Sequence, residues 1–321
     1  MLYKLLQIPS KIALIIWCRH IKKTNDQYSN LQGPMLIAAN HPNSFLDAIL
    51  LCSIFKQPIY SLARGDAFKN NFVSKILRSL KMLPVYRVSE GVENLEENYN
   101  TFEECIKIFK KKGIVLIFSE GKCINEWHLR ALKKGTARLT ISAWEQDIEL
   151  KVIPLGINYQ SFTSFGKNVH LHFGDAITNT SFAFKNDESS GTKIQLFNSR
   201  LKNQLEQIVI QTKPVDKKLL QKLFTKPVTN FEKNIFFVPA FCGYIMHAPL
   251  YIPVQKFAFK KFSKIDHYDS VIVGLLFLLY PFYLILVFVF LYFFANIYCS
   301  IASLFLLPFM AYSYVKIKKQ F

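Results

Sequence analysis

The sequence predicts an α/β domain, a mixed sheet flanked by helices, followed by a C-terminal transmembrane helical hairpin. Two observations carry this. Between residues 30 and 210, short apolar runs alternate with stretches whose apolar residues recur at helical spacing, so strands and helices take turns along the chain. From Val271 to Val315 there is no charged residue, a run too long for the core helix of a soluble domain. The expected division is a membrane-associated helix in 1–29, the α/β domain in 30–210, a linker in 211–230, and a membrane-interfacial segment with two transmembrane helices in 231–321.

The elements follow in order. Leu2 to Trp17 is apolar but broken by Lys4, Gln7, Pro9, Ser10 and Lys11, with no small-residue cleavage site after it. It reads as a helix lying in the membrane interface or docked on the domain rather than as a signal peptide. Met35 to Ala39 is a short buried strand and Phe45 to Phe55 an apolar helix, with Asn43 or Ser44 suited to its N-cap. Pro58 to Ala63 is strand-like, Phe68 to Leu80 helical, and Met82 to Tyr86 a short strand. Val92 to Lys112 carries Leu95, Tyr99, Phe102, Ile106 and Phe109 on one helical face and ends at Gly113.

Ile114 to Phe118 is an apolar strand, Gly135 to Trp144 a helix, Lys151 to Asn158 a buried strand and Val169 to Phe173 an alternating one. Lys193 to Ile210 places Leu196, Leu201, Leu205 and Ile208 on one face of a further helix. Gln211 to Asn230, with five lysines and two prolines, reads as a linker. Phe231 to Lys264 mixes aromatics, lysines and Pro239, Pro249 and Pro253, a composition suited to the membrane surface. The charge-free run splits near Ala295-Asn296 into segments of about 36 Å and about 31 Å as helices, each enough to cross a bilayer core. Lysines at 256, 260, 261 and 264 before it and at 316, 318 and 319 after it put both ends in the cytoplasm. Pro281 and Pro308 leave a re-entrant arrangement as the alternative.

With 40 Lys and Arg against 22 Asp and Glu, the formal charge of +18 calls for an anionic partner. No nucleic-acid module is visible and the charge-free tail argues against one, which leaves anionic lipid headgroups, a phosphorylated substrate or an acidic carrier. The cysteines at 18, 52, 105, 123, 242 and 299 show neither a CxxC pair nor metal spacing, so they read as free thiols in a reducing compartment, and no metal site is implied.

The chemistry is concentrated in Ala39-Asn40-His41-Pro42-Asn43-Ser44-Phe45-Leu46-Asp47. A histidine at a strand-to-helix junction, with a carboxylate in the first helical turn, makes a base and its orienter: the carboxylate holds one ring nitrogen and leaves the other to take a proton from a hydroxyl. Three further segments follow in order. They are Ala63-Arg64-Gly65-Asp66-Ala67-Phe68 running on to Met82-Leu83-Pro84-Val85-Tyr86-Arg87, then Ile117-Phe118-Ser119-Glu120-Gly121, then Val152-Ile153-Pro154-Leu155-Gly156-Ile157.

As a set these four segments, within residues 30 to 180, resemble the sequence blocks of the PlsC-like glycerolipid acyltransferases, which act on lysophospholipids and glycerol phosphates. The resemblance implies the fold of that family and an O-acyltransferase of phospholipid biosynthesis; the charge-free run and its flanking lysines add the expectation of a cytoplasmic (inner) membrane anchor with the domain facing the cytoplasm. It implies no bound cofactor, acyl-CoA or acyl carrier protein as co-substrate, and glycerol 3-phosphate, dihydroxyacetone phosphate or lysophosphatidic acid as acceptor. Acylation of another lyso-lipid, such as an amino-acid lipid, and a non-catalytic acyl-binding scaffold are the alternatives. Two departures stand out. Five residues separate His41 from Asp47 where the family usually has four, a spacing similar to the branch acting on glycerol 3-phosphate or dihydroxyacetone phosphate. Ser119 stands where proline is common, and Lys122-Cys123 where Thr-Arg or Thr-Ser is frequent.

Within this resemblance His41 is the expected base, acting directly because no GxSxG-type nucleophile is present, and Asp47 fixes its tautomer. Arg87 matches the family's arginine after the second block and suits phosphate by its planar fork. Gly121 permits close backbone approach, and Glu120 would orient Arg87 or bind a glycerol hydroxyl. Asn40 would position the loop or serve the turn alone, Arg64, Lys122 and Lys134 are candidate supporting cations that read first as solvated surface charges, and Pro154 would shape the strand end lining the acyl channel.

Overall fold

The computed structural model describes residues 2–86, 95–182, 188–213 and 216–319. Helix α1 (Leu2–Trp17) leads into β1 (Cys18–Thr24); β2 (Met35–Ala39), α2 (Phe45–Ile54), β3 (Ile59–Arg64), α3 (Asn71–Ser79), β4 (Met82–Val85) and α4 (Leu95–Lys110) follow. Then come β5 (Ile114–Phe118), α5 (Gly135–Trp144), β6 (Lys151–Tyr159), β7 (Lys167–Phe173), α6 (Ser190–Ile208) and α7 (Lys217–Phe224). The chain closes with α8 (Asn230–Phe262), α9 (Tyr268–Phe294) and α10 (Ile297–Ile317).

The strands form one seven-stranded mixed sheet in the order β1-β7-β6-β2-β5-β3-β4. All neighbours are parallel except β6 and β7, joined by a short loop and antiparallel. Strand β2 is central and every one of its residues is buried, as its unbroken apolar run requires of a strand covered on both faces. Leu46, Leu50 and Leu51 of α2 pack with Trp17 on the face carrying Ile37 and Ala39. Phe109 of α4, Leu139 of α5 and Leu201 of α6 cover the opposite face, carrying Leu36 and Ala38.

This arrangement sets the place of the site. After β2 the chain crosses one face by α2 and rejoins the sheet at β3, beyond β5. After β5 it crosses the other face by α5 and rejoins at β6, on the far side of β2. Connections leaving two adjacent parallel strands in opposite directions open a crevice at the strands' carboxyl ends. Residues 40–44 and 119–121 are the segments that leave there.

Three elements differ from the sequence reading. Among the described residues, Cys18–Thr24 is an edge strand paired with β7. Its sequence is basic and shows no clean alternation, and it is the pairing that makes it a strand. The expected linker contains α7, capped by Asp216 Oδ1 accepting from Leu219 N at 3.0 Å and held down by buried Leu220 and Phe224. Residues 230–262, expected as a surface segment, form one continuous helix started by a capping box: Thr229 Oγ1 accepts from Glu232 N at 3.1 Å, and Thr229 N donates to Glu232 Oε2 at 2.9 Å. The expected pair of C-terminal helices is thus joined by a third, and all three are long and apolar enough to cross a membrane by length and composition. They pack together: a Cβ at Gly243 would stand 2.4 Å from Met310 O, a close approach that only glycine permits, and His247 Nε2 meets Tyr280 Oη at 3.1 Å. Phe282, Phe293, Phe294 and Phe305 point outward, an apolar exterior suited to lipid.

Candidate active site

His41 stands two residues past the end of β2, and Asp47 lies in the first turn of α2. His41 Nδ1 is 2.8 Å from Asp47 Oδ2. The extra residue between them is absorbed before the helix rather than within it. Ser44, the N-cap, takes φ 53° and ψ −144°, a backbone conformation that favours glycine, and this turn swings Asp47 back toward the imidazole. The turn is held in place by Ser44 N donating to Cys123 Sγ at 2.9 Å and by Ser44 Oγ lying 2.8 Å from His267 Nδ1.

Asp47 is fully buried and saturated. Oδ2 accepts from Asn43 N at 2.9 Å as well as facing His41, and Oδ1 accepts from Tyr159 Oη at 2.8 Å. Burial pushes its carboxyl above the usual aspartate range, opposed by the hydrogen bonds from His41, Asn43 and Tyr159. The same burial, reinforced by the Asp47 charge, holds the Tyr159 phenol well above its ordinary value, so Tyr159 stays a donor. Burial and Asp47 also push the Cys123 thiol up to about 12, which makes it no nucleophile at neutral pH. With Asp47 ionised, Nδ1 of the neutral imidazole carries the hydrogen and Nε2 is the free acceptor. The ring lies flat on Phe118 with centroids 3.8 Å apart, and its side chain is 18% exposed.

The second loop braces the first. Glu120, itself buried, accepts His41 N on Oε2 at 2.8 Å and Arg130 N on Oε1 at 2.9 Å; Arg130 Nη2 closes the ion pair at 3.0 Å. Both carboxylate oxygens are therefore engaged in bracing the loop. Gly121 takes φ +69°, and a Cβ there would lie 2.9 Å from the Lys133 side chain, so this turn is built for glycine. Asn40 clamps the start of the His41 loop to the neighbouring strand, donating Nδ2 to Ile157 O at 3.1 Å and accepting Ile157 N on Oδ1 at 2.7 Å.

Thus His41, Asp47, Asn40, Glu120 and Gly121 come together at the carboxyl ends of β2 and β5. Among the described residues, Arg64, Lys134 and Pro154 do not join them, and Lys122 adds only its carbonyl. Arg87 lies outside the described residues, and with it the expected pairing to Glu120. Arg64 is on the exposed rim with Nε 3.1 Å from Asp66 Oδ1. The Lys122 side chain is exposed while its carbonyl accepts from Arg130, and Lys134 is exposed at the start of α5. Pro154 is in mid-strand, in register with Ala38, with its carbonyl accepting Gly174 N at 2.8 Å, rather than at a strand end. Among the described residues no group of His, Cys, Asp and Glu could hold a metal ion. Sequence reasoning missed Tyr159, Asn43 and Arg130. Tyr159 sits two residues past the fourth block on a buried strand, a traceable signal, whereas Arg130 lies in a loop with no periodicity.

A buried carboxylate beside a partly exposed imidazole, at the carboxyl ends of parallel strands and next to an apolar helical bundle, is an arrangement suited to taking a proton from a hydroxyl. Residues 20–158 match the family model described as Acyltransferase, a stretch that includes Asn40, His41, Asp47, Glu120 and Gly121. The C-terminal helices lie outside that match. No curated protein matches the chain by sequence. Among solved structures, the chain is similar to the 1-acyl-sn-glycerophosphate (LPA) acyltransferase PlsC from Thermotoga maritima, at 13% identity and a TM-score of 0.46, over 70% of this chain and 81% of that one.

Proposed function

We propose that the protein moves a fatty acyl chain from a thioester, acyl-CoA or acyl carrier protein, to a hydroxyl of a glycerol-phosphate acceptor in phospholipid synthesis. The single observation carrying this is the 2.8 Å contact between His41 Nδ1 and buried Asp47, within the stretch that matches the Acyltransferase family model. His41 Nε2 takes the hydroxyl proton as the alcohol oxygen attacks the thioester carbonyl carbon. The tetrahedral intermediate collapses with cleavage of the C–S bond, and the imidazolium, steadied by Asp47, returns the proton to the departing thiolate. Arg87 is the expected cation for the acceptor phosphate.

Placement at the cytoplasmic face of the inner membrane is part of the same reading. Phe224 is docked on the domain through Asn168 Nδ2 to its carbonyl at 2.7 Å, only a few residues before α8 starts. The other end of α8 turns directly into α9 at Tyr268, also against the domain. In this reading both ends of α8 stay on one side and α8 packs along α9 and α10, which cross and return, and the flanking lysines favour the cytoplasm for that side.

Reconstituted enzyme supplied with labelled acyl-CoA or acyl carrier protein, and with glycerol 3-phosphate, dihydroxyacetone phosphate and lysophosphatidic acid in competition, tests the reading. His41→Ala should lower transfer on the order of a hundredfold or more while membrane association is kept. Near-wild-type turnover by that variant would remove His41 from the mechanism. Transfer to none of the three acceptors would send the search to other lyso-lipids.

A further inference from the structure

The loop that carries His41 is fastened from outside the acyltransferase-family match, by the first turn of α9. Asp269, 2% exposed, accepts Asn43 Nδ2 on Oδ2 at 2.8 Å and Trp17 Nε1 on Oδ1 at 3.4 Å. Its charge is met by the ammonium of Lys167, whose side chain is fully buried. Ser270 Oγ donates to Asn43 O at 3.4 Å, and Asp266 Oδ1 accepts Asn125 N at 2.9 Å from the neighbouring loop. The same Asn43 donates its backbone N–H to Asp47 Oδ2 at 2.9 Å, the oxygen that faces His41. One residue thus links the membrane helix to the carboxylate that orients the base.

Asn43 is also an awkward choice for stability alone. It is fully buried and its Oδ1 meets no donor among the described residues, an unmatched group that costs about 1–3 kcal/mol. A fully buried Lys–Asp pair likewise contributes little net stability over apolar packing. Both features make sense if the arrangement fixes the geometry of the loop.

We propose that Asp269 is a positioning residue, setting the His41–Asp47 pair through Asn43 from the membrane-entry turn of α9. This rests on the proposed role of His41 as base. Small displacements of a reacting group lower turnover steeply without weakening substrate binding, so the signature is a fall in kcat at constant KM.

The test uses the full-length protein in phosphatidylglycerol–phosphatidylethanolamine vesicles. Asn43→Ala leaves the Lys167–Asp269 pair in place and cuts only the link. It should lower kcat on the order of 10- to 100-fold, with the KM values of donor and acceptor within about twofold. Two double variants separate positioning from the ion pair, since both remove the pair. Lys167→Met/Asp269→Ala should match the loss in Asn43→Ala, while Lys167→Met/Asp269→Asn, which restores an acceptor for Asn43, should recover most of the turnover. Equal rates for the two double variants, or wild-type kcat in Asn43→Ala, would overturn the proposal. Amide exchange of residues 43–47 in the same vesicles reads the link without any substrate. Several-fold faster exchange in Asn43→Ala supports it and unchanged exchange rejects it, even if wild-type enzyme acylates none of the acceptors tried. Loss of all transfer in His41→Ala with wild-type kcat in Asn43→Ala would leave the function standing and the inference refuted.

Discussion

Tyr159 donates its phenolic hydrogen to Asp47 Oδ1 at 2.8 Å across 112 residues of sequence. The strand that carries it, β6, is the one to which Asn40 clamps the His41 loop. Orientation of the base is therefore a property of two strands and a helix together, and the variants below separate the contributions.

Tyr159→Phe removes the donor and leaves a buried carboxylate oxygen unmet. The expected loss is about 1–3 kcal/mol of stability, together with roughly tenfold lower kcat as Asp47 gains freedom to turn away from His41. Thermal unfolding and steady-state kinetics on one preparation check both. Unchanged kcat would mean that Asn43 and His41 suffice to hold Asp47.

Asp47→Asn gives a pH-dependent signature. The folded carboxyl is raised above its unfolded value by burial, so the protonated form favours the fold. That contribution is fully present below the unfolded pKa and is lost as pH rises toward the raised folded value. The asparagine variant should match wild type in thermal stability below about pH 4 and exceed it at neutral pH. Its turnover should fall on the order of a thousandfold or more, because an amide can stabilise the wrong tautomer of His41. A stability gap that does not change with pH would show that the Asp47 carboxyl binds its proton equally well in the folded and unfolded chain, against the raised value in the fold.

Arg130→Met strips the side-chain partner from buried Glu120 and should destabilise the protein by roughly 2 kcal/mol. Adding Glu120→Gln, which removes the stranded charge, should restore part of that loss. If the double variant is no better than the single one, Arg130 matters for something other than neutralising Glu120.

Reporter fusions placed after Lys226, after Lys264 and after Lys319 should all report the same side of the membrane, and an insertion at Ala295-Asn296 the opposite side. Opposite signals at Lys226 and Lys264 would mean that α8 crosses.

What could be read from the chain is what local patterning controls. The run Met35 to Ala39, unbroken and apolar, is a central strand covered on both faces, and Gly135 to Trp144 is helical as its spacing indicates. The His41 loop falls at a strand-to-helix junction because the apolar period changes there, and the charge-free tail is helical because neither soluble packing nor an exposed backbone suits it. Tertiary structure decided the rest. It made Cys18–Thr24 a strand by pairing it with β7, and found in the expected linker a helix whose Phe224 has a place to dock. It also resolved the wide His41–Asp47 spacing, which the sequence left between a turn that absorbs a residue and a helix rotated out of reach. Ser44 takes up the residue at φ 53°, and contacts from Cys123 and His267 hold it there. Those partners, like Tyr159, Arg130 and Asp269, meet the site through strand order and helix docking. Periodicity reports which face a residue occupies, while hydrogen bonds between distant segments depend on which faces are brought together.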